Sequence, residues 1–181
     1  MTQSIDKIGI NAKEAARVLA KTSAEQKNHA LQAMAKHILA DKKIILESNK
    51  LDIENSKSKN LSDSFIDRLE LNSERVDSIS KTLIEVASFK DPVGRVLDSW
   101  QRPNGLHISR VSTPLGVIGI IYESRPNVTA DAGALSLKSG NASILRGGSD
   151  SINSCIAIHD SLVKGLKEAD INKNAIQIIK D

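Results

Sequence analysis

Through roughly the first ninety residues, apolar positions recur at three- and four-residue intervals, the period of helices that bury one face. From Ser4 to about Thr22 the stripe is Ile5, Ile8, Ala12, Ala15, Ala16 and Leu19. Ser23-Ala-Glu-Gln26 has the form of a capping box, in which serine and glutamine each satisfy the other's free backbone donor. It opens a second helix with a face of Ala30, Leu31, Met34, Ala35, Ile38 and Leu39. Asp41 is placed to cap a third, carrying Ile44, Ile45 and Leu51, and the run Asn55 to Asn60 reads as its frayed end and a loop. Ser62 caps a short helix with Phe65, Ile66 and Leu69, and Ser73 starts another along Val76, Ile79, Leu83 and Val86. This half predicts a helical layer whose faces pack on a sheet that follows.

After Asp91-Pro92 the period changes. The segments Arg95 to Arg102 and Leu106 to Val111 flank Pro103-Asn104-Gly105. Asn-Gly between two extended segments predicts a hairpin with a two-residue primed turn, positive in φ at both positions. Trp100 suits either an interface anchor or a residue covering a sheet.

The stretch from Pro114 to Gly148 then organises the rest. Gly116 to Tyr122 is an apolar, β-branched run that reads as a strand buried on both faces. Asn127 can cap a helix through Lys138, with Val128, Ala132, Leu135 and Leu137 as its apolar contacts, and Gly140-Asn141 stops it. A second strand, Ala142 to Leu145, ends at Arg146-Gly147-Gly148. Ser143 stands in it where Val or Ile would suit a buried sheet better, and a serine can bond locally. Ser149-Asp-Ser151 caps a helix with Ile152, Ile156, Ile158, Leu162, Val163 and Leu166, and Asn174 to Ile179 reads as one more strand. The result is a run of βαβ units with an unfinished sheet edge, and such sheets bind ligands at the carboxyl ends of their strands.

Those ends carry the chemistry. The first strand delivers Tyr122-Glu123-Ser124-Arg125-Pro126-Asn127 and the second delivers Arg146-Gly147-Gly148. Guanidinium groups, an asparagine and a bare-backbone glycine pair suit a phosphorylated cofactor. The spacing equally fits an ordinary α/β crossover with solvated arginines, since neither GxGxxG nor GxxxxGK[ST] is present. The single cysteine, Cys155, excludes an internal disulfide and a cysteine-based zinc cluster. In mid-helix it reads as a small buried hydrophobe, with His159 able to approach it on the same face. His29 and His37 lie too far apart along one helix to share a metal, so no metal site is expected.

Composition narrows the partners. The net charge of +3 comes from 25 basic and 22 acidic residues that are interleaved rather than segregated. Aromatics are 2% of residues, so stacking platforms for nucleic acid are nearly absent and no nucleic-acid partner is expected. No apolar run approaches the ~20 residues of a membrane helix, and the polar start does not resemble a secretory signal. A soluble cytoplasmic protein is expected, with no membrane partner.

The residues IYESRPNVT followed by LKSGNASILRGG, preceded by PLGVIG and by Asp91-Pro-Val-Gly94, resemble the glutamate-5-semialdehyde dehydrogenase family. This family, also called γ-glutamyl phosphate reductase, is a branch of the aldehyde dehydrogenase superfamily. The resemblance covers essentially the whole chain, as the N-terminal part of longer family chains. It implies an α/β fold in three parts: residues 1–90 as a helical layer of the cofactor-binding domain, 91–113 as a β-hairpin flap used in oligomerisation, and 114–181 as the first βαβ units of an incomplete, aldehyde-dehydrogenase-like Rossmann-type parallel sheet that binds NADP(H).

The resemblance also implies chemistry. A cysteine thiolate attacks L-glutamyl 5-phosphate and expels phosphate, and NADPH reduces the thioester to L-glutamate 5-semialdehyde in proline biosynthesis. The nucleophilic cysteine belongs to a segment outside these residues, so this chain alone is expected to be inactive, needing the C-terminal half in cis or in trans. Asn127 is then the candidate oxyanion donor. Tyr122, Glu123, Ser124, Arg146, Gly147 and Gly148 line the cofactor crevice, with Arg146 pairing with the 2′-phosphate of NADPH. Arg125 faces substrate phosphate or solvent. A homo-oligomer is implied. The alternative is a non-catalytic interaction or oligomerisation module, or an inactive fragment, of the same ancestry.

Overall fold

Residues 4–180, which the computed structural model describes, run through five helices, a hairpin and three parallel strands joined by two crossover helices. The helices are α1 (Ile5–Leu19), α2 (Ala24–Ala40), α3 (Lys42–Ser58), α4 (Asp63–Leu69) and α5 (Ser73–Ser88). The hairpin is β1 (Val96–Gln101) with β2 (His107–Val111). Then come β3 (Val117–Ile121), α6 (Val128–Lys138), β4 (Ala142–Arg146), α7 (Ile152–Glu168) and β5 (Ile176–Ile178). Residues 1–3 and 181, the ends of the first and last expected segments, lie outside the described residues.

Local chemistry starts the helices. Ser4, Ser23 and Ser62 hold extended backbones, and their hydroxyls accept the amides of Lys7, Gln26 and Phe65. The capping box at Ser23 is only half formed, because Gln26 sends its amide nitrogen 3.0 Å to the carbonyl of Ala169 instead. Asn72, not Ser73, caps α5. Asp41 precedes α3 without capping it, since its carboxylate is taken by Lys164 and Ser161 of α7. The Asn55 to Asn60 run is not frayed: α3 continues to Ser58, with Ser56 fully buried, and stops at Asn60 in the left-handed region.

Helix α2 lies between α5 and α7 and forms the centre of the core. Leu31, Met34 and Ile38 meet the buried stripes Val76, Ile79, Leu83 and Ile158, Leu162, Leu166. Each such side chain stabilises the fold by ~1.5–3 kcal/mol relative to exposure. Gly165 allows α7 to approach so closely that a methyl group there would overlap the backbone of Met34. Ile5, Leu39, Ile44, Leu51 and Leu135, at the margins of the expected stripes, are exposed.

The sheet order is β3–β4–β5, all parallel, with Ile121 opposite Arg146 and Leu145 opposite Ile178. Burial on both faces belongs to β4 rather than to β3. Helix α1 lies across β4, whereas Val117, Gly119 and Ile121 of the edge strand β3 are exposed, Ile121 at 81%. The last strand is shorter than expected, because Lys173–Ala175 form a 3-10 turn before it. Ser143 pairs with Ile118 and Ile176 in the middle of the sheet, and its buried hydroxyl has no hydrogen-bond partner among the described residues. The expected local bond fails because extended backbone commits its own donors and acceptors to the neighbouring strands.

The hairpin forms, but with a different turn. Gly105 donates to the carbonyl of Arg102 and has φ +84°, while Asn104 is not in the left-handed region. Pro103 and Asn104 therefore make an ordinary turn followed by a left-handed glycine, the three-residue loop, and Pro103, having no N–H, could not donate to Leu106 as the residue before a primed Asn-Gly turn does. Both strands are largely exposed, so Trp100 covers no sheet. The root is firm: Asp91 accepts from Val93 N and pairs at 2.6 Å with the buried ammonium of Lys27.

Candidate functional site

Two strand-to-helix junctions lie side by side at the carboxyl end of the sheet. The first joins β3 to α6. Tyr122 N donates to the carbonyl of Arg146, which prolongs the β3–β4 ladder by one step. The Tyr122 ring turns inward, its hydroxyl 2.7 Å from Thr129 Oγ1. Burial pushes the phenol far above its ordinary pKa, and nearby Cys155 adds to the effect, so Tyr122 is a neutral hydrogen-bonding group. Arg125 N donates to the carbonyl of Glu123, closing a tight turn in which Ser124 and Pro126 are buried and Glu123 and Arg125 are exposed. Their side chains approach to 3.8 Å.

Asn127 is already helical in backbone, with φ −57° and ψ −32°, so its side chain cannot reach back to cap α6 as expected. Instead its amide donates to Asp131 Oδ2 at 3.0 Å. Burial raises the pKa of Asp131, partly opposed by that bond. The far end of α6 closes as expected: Gly140, at φ +75°, donates to Leu137 and Asn141 donates to Ser136, a Schellman stop.

The second junction joins β4 to α7. A methyl group on Gly147 would lie 3.0 Å from Cys155 Sγ and 3.2 Å from the Tyr122 ring. One on Gly148 would overlap Ser124 Oγ and lie 3.0 Å from Ser124 N. The glycine pair therefore lets the two loops close on each other. Ser151 does not cap α7 through its side chain, which donates to the Gly148 carbonyl. The cap comes from α3. Asp52, 2% exposed, accepts from Asn153 N at 3.2 Å and Ser154 N at 2.8 Å, and from both of their side chains. A carboxylate at the start of a 17-residue helix is stabilised by free amides and by the helix dipole. Asn49 completes the cluster, bonding Leu69 O, Leu71 N and Ser154 Oγ.

The expected site residues thus divide. Tyr122, Ser124, Gly147 and Gly148 pack together where the loops meet, and Arg146 is exposed at the end of β4. Arg125 and Asn127 face a cleft of about 440 Å³ between the α4–α5 region and α6, with Asp67, Arg68, Arg75 and Asp131 among its lining. Glu123, Ser124 and Arg125 border a second cleft of about 320 Å³ with Phe65 and Arg68. Arg146, Gly147 and Gly148 line neither. His159 does not meet Cys155; its Nε2 lies 3.0 Å from the carbonyl of Ile176. Cys155 is fully buried and directs its thiol to Ser151 Oγ.

Two features escaped the reading of the sequence. Asp52 had a signal, because Asn49, Asp52 and Ser56 continue the inward stripe of Ile45 and are polar where apolar residues are expected. Arg68 had none, since only the tertiary fold brings it beside Arg125.

No family model matches the chain. Among curated proteins, the γ-glutamyl phosphate reductase of Allorhizobium ampelinum is 60% identical over 172 residues, 95% of this chain and 40% of that protein. Among solved structures, the γ-glutamyl phosphate reductase of Thermotoga maritima superposes with a TM-score of 0.96 at 42% identity, over 99% of this chain and 43% of that one. The propionaldehyde dehydrogenase of Rhodopseudomonas palustris shares the fold, with a TM-score of 0.69 at 14% identity, over 100% of this chain and 37% of that one. By sequence and by fold, the chain is homologous to the N-terminal part of the γ-glutamyl phosphate reductases, shares its fold with aldehyde dehydrogenases, and spans about 40% of the reductases' length.

Proposed function

We propose that these residues are the N-terminal portion of an NADPH-dependent reductase that converts L-glutamyl 5-phosphate to L-glutamate 5-semialdehyde, a step of proline biosynthesis. The observation that carries this reading is the 60% identity to a γ-glutamyl phosphate reductase across nearly the whole chain. The nucleophilic thiol comes from a segment outside these residues, because Cys155 is buried and faces Ser151. The half that supplies it joins in cis or in trans. The assembled enzyme works in the cytoplasm, and the exposed hairpin carrying Leu97, Trp100 and Leu106 offers a surface for homo-oligomer formation.

The residues present suit a nicotinamide cofactor carrying a 2′-phosphate. Arg146 presents an exposed guanidinium at the end of β4 with no acidic partner among the described residues, a chemistry matched to phosphate oxygens. NADPH, when bound, supplies the hydride. The backbones of Gly147 and Gly148 and the turn Glu123-Ser124 set the floor on which it rests, and the neutral Tyr122 braces that floor from below. The first amides of α7 take no part, since Asp52 occupies them. Asn127 donates to the developing oxyanion after leaving Asp131, and Arg125 holds the substrate phosphate.

The test is to capture the endogenous protein with an antibody to residues 114–148, weigh it intact and assay it. The expected outcome is a cysteine-bearing segment, continuous or co-captured, with NADPH oxidation dependent on L-glutamyl 5-phosphate. A captured protein that leaves glutamyl phosphate unreduced would overturn the reading. The purified 181-residue polypeptide is expected to show no turnover.

A further inference from the structure

Arg68 is assigned no role by the motif that marks this chain, yet it borders the same two clefts as Arg125. The charges around it are unevenly matched. Arg75, also in the larger cleft, is fully engaged: its guanidinium donates to Asp67 O, Glu70 O and Asp67 Oδ1. That clasp neutralises Asp67, while Glu70, also in the lining, gives Arg75 only its carbonyl and keeps its carboxylate unpaired among the described residues. Asp131 accepts from Asn127 and has no ion-pair partner among the described residues. Glu123 reaches Arg125 only at 3.8 Å, on the Nε side, with 76% of its side chain exposed. Arg68 has no hydrogen-bond or ion-pair partner among the described residues. Other arginines also lack partners: Arg95, Arg102 and Arg110 belong to the hairpin, Arg146 stands alone at the end of β4, and Arg17 borders a groove with Lys13 of its own helix. Here two cations from elements far apart in sequence border one space.

We infer that Arg68 and Arg125 form a paired-guanidinium seat for a phosphoryl group. Two guanidinium groups bordering one cleft can both turn to an oxyanion bound there. Their forked donors match tetrahedral oxygens, giving short charge-assisted bonds. Ser124 and Phe65 border the smaller cleft beside them, a hydroxyl and an apolar ring. Clefts of this size fall at the small end of those that hold metabolites. That the phosphoryl group is the substrate's acyl phosphate rests on the reductase reading; the seat itself does not. Arg68 then acts as a substrate-binding residue contributed by the helical half.

The test follows the arginine Nε resonances of the 181-residue chain by NMR during titration with inorganic phosphate, then with L-glutamate at matched ionic strength. Phosphate is expected to shift Arg68 and Arg125 saturably and to leave Arg75 in place. Arg68→Ala and Arg125→Ala should each weaken binding roughly tenfold, the loss of one charged hydrogen-bonding partner. Arg68→Gln, which keeps the stem of the side chain, should do the same in a chain whose amide spectrum is otherwise unchanged. The seat is refuted if neither Nε responds, or if affinity survives Arg68→Gln. A stronger response to glutamate than to phosphate would refute the phosphoryl assignment. Phosphate binding by a chain whose captured enzyme lacks reductase activity would keep the seat and remove the reading. Reductase activity alongside phosphate binding indifferent to Arg68 would do the reverse.

Discussion

The two strand-to-helix junctions are built on one plan and treated in opposite ways. Each follows a parallel strand, turns through small or exposed residues, and begins a helix beneath the helical layer. At the β4–α7 junction the start of the helix is satisfied within the chain: Asp52 fills it and Asn49 bonds three groups around it, and only Arg146, at the end of the strand, stands unpaired among the described residues. At the β3–α6 junction Arg125 and Asn127 face an open cleft, and Asp131 is held in surroundings that disfavour its charge. The first arrangement stabilises the fold. The second leaves Arg125 with only an exposed and distant carboxylate, and Arg68 beside the same cleft with no partner among the described residues. A polar residue near a strand end is therefore weak evidence of function until its partners are counted.

The largest expected effect tests the closed junction. Asp52→Ala would leave the amides of Asn153 and Ser154 buried without acceptors. Buried donors without partners cost ~1–3 kcal/mol each, and together with the lost dipole interaction the change should destabilise by ~3 kcal/mol. For a chain of this size that is a fall in Tm of roughly 10 °C. Asp52→Asn keeps one acceptor oxygen but turns a donor towards donors, so it should lose nearly as much. A Tm unchanged by either substitution in thermal unfolding would mean that the cap is decorative.

A smaller effect tests the contact between the junctions. Gly148→Ala places a methyl group against Ser124, including its backbone nitrogen, and should cost ~1.5 kcal/mol by overpacking. Ser124→Gly removes the hydroxyl but not the backbone, so the double variant should recover part of the loss and give a clear coupling energy. Simple additivity of the two changes in denaturant unfolding would show that the loops do not press on each other.

Which parts of this were legible in the sequence follows from how local their causes are. The serine caps at Ser23 and Ser62 and the glycine stop at Gly140 depend on neighbours a few residues away, and they form where expected. The motif from Tyr122 to Gly148 announced its place at the strand ends for the same reason. Errors arise where a distant group intervenes. Gln26 abandons its capping box for Ala169, Asp41 turns to α7, and β3 is half exposed because α1 lies over its neighbour. The hairpin turn departs from expectation for a local reason, since Pro103 lacks the N–H that the residue before a primed Asn-Gly turn donates. The cap of α7 lies outside its own segment altogether, a hundred residues upstream in sequence, and the second unpaired arginine bordering the clefts of Arg125 lies on α4.

The smallest effect separates the junctions most sharply, because the same substitution should act with opposite sign at each. Burial raises the folded pKa of Asp131 above its ordinary value of 3.8, so the folded chain holds that proton more tightly than the unfolded chain. Its contribution to stability is complete below the unfolded value and is lost as pH rises through the folded one. At neutral pH the ionised Asp131 therefore works against folding, relative to a neutral group of the same shape. Asp131→Asn keeps an acceptor for Asn127 and should stabilise at pH 7, by less than about 1 kcal/mol. The gain should shrink as the pH falls and vanish below the ordinary value of 3.8, where Asp131 is protonated in the folded and the unfolded chain alike. Unfolding curves across that range decide it. If Asp131→Asn destabilised at pH 7 as Asp52→Asn is expected to do, the open junction would be structurally committed after all, and its free cations would have to be explained by packing rather than by a ligand.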